Sequence, residues 1–234
     1  MTIRPRPKPA VADLKQERAV RTRGLILDAA ARAFADKGYP ATTILDVAEL
    51  MGATKGAVYF HFANKGALAA AVTEEFYVRL RASAQQVTDQ ALPPLATLAE
   101  LLVRTGVLFR DDEVIRAGAR LQIEQSLIET DLPAPFVGYT ETVTGLLRAA
   151  HAEGALPGGH DPEAVGRVLV SAFFGAQHMS WVMNDRADIA ERVREILSVV
   201  LPGAADAEAG ADAADLAEAA GVADAGGARG PGAK

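Results

Sequence analysis

The chain has 234 residues, of which 50% are hydrophobic, 23% charged and 6% aromatic, a composition that buries one large core or two small ones and excludes a wholly disordered protein. It has no cysteine, which excludes disulfides, thiolate metal sites and cysteine nucleophiles and agrees with a reducing compartment. The net charge of -6 excludes a general polyanion binder only if that charge is evenly spread.

It is uneven. Residues 1–66 carry 11 Lys and Arg against 6 Asp and Glu, residues 67–202 carry 11 against 18, and the remainder 2 against 6. A basic front on an acidic body attracts nucleic acid at one end and repels it elsewhere; ordinary solvated faces are the alternative reading. No apolar run approaches the ~20 residues that span a bilayer. The opening MTIRPRPKPAVADLKQER lacks the apolar stretch of a signal peptide. A cytoplasmic protein with no membrane partner is expected.

Residues 1–14, with Pro5, Pro7 and Pro9, form a flexible basic arm. A helix is predicted from about Lys15 to Lys37, with Ile26, Ala30, Ala33 and Phe34 on one stripe and Arg18, Arg21, Arg32 and Asp36 off it. Gly38 closes it. Further helices are predicted at 43–51, 55–61, 64–90, 95–109, 113–129, 136–153, 162–183 and 186–201, broken at Pro93-Pro94, Pro133 with Pro135, Pro157-Gly158-Gly159 and Pro202-Gly203. No alternating strand pattern occurs, so the fold class is all-α with about nine helices. From Gly203 to Lys234, 14 of 32 residues are Ala and 7 are Gly; residues 203–234 are read as a disordered acidic tail.

The informative stretch is Thr43 to Phe62, TILDVAELMGATKGAVYFHF. Ile44, Val47, Ala48 and Met51 make one face of a short helix apolar, Gly52 stops it, and Thr54 caps a second helix at once. Two helices joined so tightly cross steeply: a small residue (Ala48), then Gly four positions on and an aliphatic (Val58) six beyond that make a helix-turn-helix. With Val58 and Phe62 inward, Lys55, Gly56, Tyr59 and part of His61 face out. A recognition helix enters the major groove N-terminus first, which places Thr54, Lys55 and Gly56 near base edges. Tyr59 and His61, with Thr42 or Thr43 and Lys65, suit phosphates; half-buried packing is the alternative for Tyr59. Residues 15–66 are therefore read as a three-helix DNA-binding domain and 67–202 as a second, larger helical domain.

The stretch from Thr22 to Leu80, with ILDAAARAFADKGYPATTILDVAELMGATKGAVYFHFANKGALAAAV, resembles the tetracycline-repressor (TetR) family. Further on, RAGARLQ and SAFFGAQH resemble its gamma-butyrolactone and furan autoregulator receptors from antibiotic-producing actinomycetes. The resemblance implies a homodimer on double-stranded operator DNA that represses genes of antibiotic biosynthesis or regulation. A small lactone, butenolide or furan signal releases it. It also implies that residues 67–202 bind ligand and dimerise, with Gln125 and Tyr139 lining the pocket, Phe76 and Tyr77 on the helix linking pocket to DNA domain, and Phe173 opposite. Many lactone receptors have tryptophan where this chain has Tyr139, so a butenolide or furan stays open beside a simple lactone. A pseudo-receptor with no small-molecule ligand is the alternative.

The segment Asp161-Pro162 starts a helix apolar nearly all round, and Ile189, Val193, Ile196, Leu197 and Val200 stripe the last one. The two resemble the antiparallel pair that forms a four-helix dimer interface in the TetR family, which implies the same here, with Phe174 and Val193 at its seam; a purely intramolecular core is the alternative. Trp181 either lines the pocket or seals that contact. No enzyme is expected: His61, His151, His160 and His178 show neither metal-ligand spacing nor a catalytic constellation, and no phosphate loop, metal or cofactor site is found.

Overall fold

The computed structural model describes residues 11–133, 137–156 and 160–201. The expectations for the arm before residue 11, for Pro135, for Pro157-Gly158-Gly159 and for the stretch after Leu201 lie outside the described residues; residues 11–14, expected in the arm, are instead the first turn of a helix. Among those described, the chain is all helix and has no strand. The elements are α1 Val11–Ala41, α2 Ile44–Leu50, α3 Lys55–His61, α4 Lys65–Thr88, α5 Pro94–Asp111, α6 Glu113–Ile123, a 3-10 turn Gln125–Leu127, α7 Val137–Ala152, α8 Pro162–Asn184 and α9 Ile189–Val200.

Local chemistry sets most boundaries. Gly38 leaves helical geometry at φ 77°, and the chain makes one more turn through Pro40 before α2. Thr43 and Asp46 cap α2 reciprocally: the Thr43 hydroxyl accepts from the Asp46 amide at 3.2 Å, and the Asp46 carboxylate accepts from the Thr43 amide at 2.7 Å. Lys37 Nζ lies 2.6 Å from the same carboxylate, and this bond above all, then those from Thr43, holds the Asp46 pKa well below the usual range. Asp112 caps α6 and Asp161 caps α8 through their carboxylates, with Pro162 at the first helical position as expected.

The described chain forms two compact units. The first combines the chain up to Arg81 with Asp111–Pro135. In it, α1 packs on α2 and α6, and α2 on α3, around Ile26, Phe34, Val47, Val58, Leu68 and Ile115, all fully or almost fully buried. The second combines Ala82–Arg110 with the chain from Phe136. There α8 packs on α7 and α9, and Gly106 of α5 lies 3.4 Å from Ile189 and Val193 side-chain atoms of α9 if given a Cβ. The boundary expected after residue 66 is a division by role; the compact units are cut elsewhere, because α6 belongs with α1.

The α8–α9 join has its own polar lock. Asp188 precedes α9 and accepts from the buried Ser180 hydroxyl of α8 and from Arg192 Nε, the latter at 2.6 Å. Ser180 above all, then Asn184 and Arg192, holds the Asp188 carboxyl at about 2 against an ordinary 3.8. A depressed carboxylate contributes stability that is complete above its unfolded value and is lost as pH falls through the folded one. Thermal melts of Asp188→Asn should therefore lose less on acidification from about pH 4 towards pH 2 than melts of the unaltered chain. Equal acid slopes would remove this lock from the stability of the fold.

Candidate nucleic-acid interface and signal site

The helix-turn-helix forms as the residue pattern requires. Gly52 adopts φ 64° in the turn, a left-handed conformation that side chains resist. Thr54 caps α3, its hydroxyl accepting from the Ala57 amide at 3.3 Å. Val58 and Phe62 are buried; Thr54, Lys55, Gly56 and Tyr59 are exposed and His61 is half-buried. The sequence reading missed Phe60, which is 82% exposed and meets His61 edge-on with ring centroids 5.1 Å apart. An aromatic flanked by Tyr59 and His61 reads as one more packing residue, and only its exposure separates it from Phe62.

Two residues expected at phosphates are engaged inside the first unit. Thr42 is 1% exposed and donates to the Gly38 and Ala33 carbonyls at 2.7 and 3.1 Å. Of the Thr42 and Thr43 pair, Thr43 is the exposed one. Lys65 Nζ donates to the Tyr39 and Thr42 carbonyls at 2.8 and 3.0 Å and lies 4.2 Å from the Tyr39 ring centroid. Its charge closes the turn between α1 and α2 instead of standing free at the surface. From α6, Arg120 donates to the Ala35 and Asp36 carbonyls, and Glu124 accepts from the Tyr39 amide at 2.6 Å.

The expected pocket residues divide between the units. In the first, Phe76 and Tyr77 are stacked edge-to-face at 4.8 Å, and the Phe76 ring fills the space a side chain at Gly118 would need. Gln125 is exposed on the 3-10 turn. The helix expected to run to 129 ends at Ile123, because Glu124 is drawn to the Tyr39 amide and to Arg120. The buried glutamine is Gln122, 4% exposed, with neither amide atom hydrogen-bonded. Leaving such a group unpartnered costs about 1–3 kcal/mol. In the second unit, Tyr139 and Phe173 do come together, with centroids 5.9 Å apart, in a cluster with Phe109 and Phe174. Burial pushes the Tyr139 phenol above the ordinary tyrosine range, with Thr105 opposing it, yet no well-formed hydrogen bond reaches its hydroxyl. Gln177 is also buried, and its Nε2 has no partner.

The inner and outer faces of α8 and α9 are separated by burial. Val193 is buried against α5, while Phe174 is half-buried and joins the aromatic cluster. The outward surface is a shallow groove lined by Ala172, Gly175, Ala176, Met179, Ile196 and Val199. Trp181 lies beneath the Arg186 guanidinium, 4.7 Å from its ring centroid, and beside His178. No helix among the described residues is long and apolar enough to cross a membrane.

A capped helix-turn-helix with an exposed second helix, on an all-helical scaffold, defines a DNA-binding transcriptional regulator. The family profile of bacterial regulatory proteins, tetR family, matches residues 26–72. A structure solved for the molecular basis of control of antibiotic production by a bacterial hormone is 46% identical, with 79% of this chain and 97% of that one covered and a TM-score of 0.73. A gamma-butyrolactone receptor (ArpA-like protein) is 30% identical over 77% of this chain and 98% of its own, with a TM-score of 0.62. The A-factor receptor protein of Streptomyces griseus is 32% identical over 191 residues, which are 82% of this chain and 66% of that receptor. The chain belongs to the tetR family of bacterial regulatory proteins, and it is not an enzyme. Within that family it falls among the gamma-butyrolactone receptor relatives.

The geometry at Lys65 makes a prediction. Lys65→Ala leaves two backbone carbonyls without their donor and should lower the stability of the full chain by about 1–3 kcal/mol in denaturant melts. The salt dependence of its non-specific DNA binding should stay unchanged. A reduced salt slope with unaltered stability would return Lys65 to the phosphates.

Proposed function

We propose that the protein is a homodimeric repressor, working in the cytoplasm, that leaves a pseudo-palindromic operator when a small lactone, butenolide or furan signal binds. One observation carries the ligand reading: an aromatic cluster in the second unit, with Phe109 and Phe173 buried and Tyr139 and Phe174 half-buried, in which the enclosed Tyr139 hydroxyl has only Thr105 acting on it, without a well-formed hydrogen bond, and Gln177 Nε2 has no partner. Apolar walls with a few polar groups awaiting partners are what a small-molecule site requires. The signal class follows the relatives, one an A-factor receptor protein and another a gamma-butyrolactone receptor.

On the DNA side, Lys55 reads guanine acceptors, Thr54 and Gly56 bring the backbone close, and Thr43, Tyr59 and His61 meet phosphates. Dimerisation uses the exposed α8–α9 groove, set among the solvent-facing Val168, Val182 and Met183. Two-fold symmetry then sets the recognition helices one DNA turn apart, ~34–36 Å.

Three measurements test the reading. Lys55→Ala should cost about 1–3 kcal/mol on the operator and far less on random DNA in gel shifts; equal losses would take Lys55 off the bases. Met179→Glu or Val199→Glu should yield monomers in sedimentation, and a monomeric unaltered chain at micromolar concentration would sink the dimer. Synthetic gamma-butyrolactones, butenolides and alkylfurans should release the operator. Tyr139→Phe should weaken that release by about 1–3 kcal/mol if the hydroxyl is bonded to the guest, with ligand-free operator binding intact. Release by none of these compounds would favour the pseudo-receptor.

A further inference from the structure

We propose that Phe60 is a base-reading residue that recognises the C5-methyl group of a thymine in the operator's major groove. The inference rests on the DNA-reading role proposed above and adds a determinant of its specificity. A phenyl ring left 82% exposed in water has no folding role to explain it, since Val58 and Phe62 already anchor α3 from its inner side. Its position is defined: His61 meets it edge-on at 5.1 Å with the rings 85° apart.

Phe60 also stands where a groove-reading side chain must. It lies four residues after Gly56, hence on the same face of α3 one turn further along. A Cβ at Gly56 would find no atom nearer than the Thr54 hydroxyl at 3.8 Å, so the face before Phe60 is open and DNA can approach the backbone closely. Lys55 is exposed on the same short helix, and residues 1–66 have an excess of basic residues, so the surface that carries the ring attracts a polyanion. A duplex is the occupant that satisfies both features. Within the major groove, the thymine methyl is the one apolar mark on the base edges, and phenylalanine is among the few side chains that read it.

The test uses the full chain and a duplex it selects from random-sequence DNA. Each thymine is replaced singly by uracil, which removes the methyl and leaves the hydrogen-bonding edge intact. The unaltered protein should bind about fourfold more weakly when one particular thymine of a half-site is replaced, the equivalent of one lost buried methylene. Phe60→Ala should bind the thymine duplex more weakly by a similar factor and be indifferent to that replacement. Phe60→Leu should keep part of the sensitivity. Because the ring is neutral, the salt slope should not change in either variant, and melting temperatures should match the unaltered chain. Uracil sensitivity that persists in Phe60→Ala overturns the proposal, as does its absence at every thymine. Equal loss of Phe60→Ala on thymine and uracil duplexes also overturns it, placing the ring on the sugar-phosphate backbone. If a duplex is selected, these failures leave the DNA-reading role standing; if none is selected, that role and this inference fall together.

Discussion

The first unit depends on how the carbonyls at the end of α1 are satisfied. A helix leaves its last carbonyls without internal partners, and here the chain must also turn within a few residues into α2. Gly38 breaks the helical path, and the exposed polar backbone is then met by residues from later in the chain. Arg120 takes the Ala35 and Asp36 carbonyls, Lys65 those of Tyr39 and Thr42, and the Thr42 hydroxyl those of Gly38 and Ala33. Glu124 accepts the Tyr39 amide. The position of the helix-turn-helix is thereby tied to α4 and α6.

This tie gives α6 a double character. Its end grips the α1 turn through Arg120 and Glu124, and between them in sequence lie the buried Leu121 and Gln122, the latter with its amide unpartnered. A group that engaged Gln122 would act on the same turn of helix that fixes the DNA-reading elements. Any free energy it exerted on their position would be returned by the operator on its own affinity, because coupling between two sites is reciprocal.

The second unit solves a different problem. Helix α8 is apolar on nearly every face, more than one bundle side can cover. Its inner side, with Leu169, Phe173 and Gln177, is buried, while Met179, Val182 and Met183 face solvent. The inner aromatics enclose the Tyr139 hydroxyl, on which only Thr105 acts and without a well-formed hydrogen bond, in surroundings where a poorly satisfied polar group is costly. The outer face is a shallow groove with small residues at Ala172, Gly175 and Ala176, which lets another helix approach closely.

The sequence by itself determined the all-helical class, the order of the helices with most of their boundaries, and the helix-turn-helix; the ends of α1, the end of α6 and the start of α9 differ by three residues or more. Those features depend on neighbours within about four residues: the Thr43 and Thr54 caps, the turn at Gly52, the break at Gly38 and the start at Asp161-Pro162. Periodicity also showed that Val58 and Phe62 point inward. Only the tertiary structure decided which polar groups are free. Thr42 and Lys65 looked available for phosphates, but their partners are carbonyls at a turn whose closure no local pattern announces. Gln125 lost its place because Glu124 was drawn to an amide 85 positions away in sequence, which ended α6 early and left Gln122 as the buried amide. Helix α8, apolar nearly all round, carries no periodic mark of which face its own fold covers, and the stripe on α9 that includes Val193 marks a covered face without saying that α5 covers it. Exposure is a property of what packs on a residue, so Phe60 and Phe62, alike in sequence, were separated only by the fold.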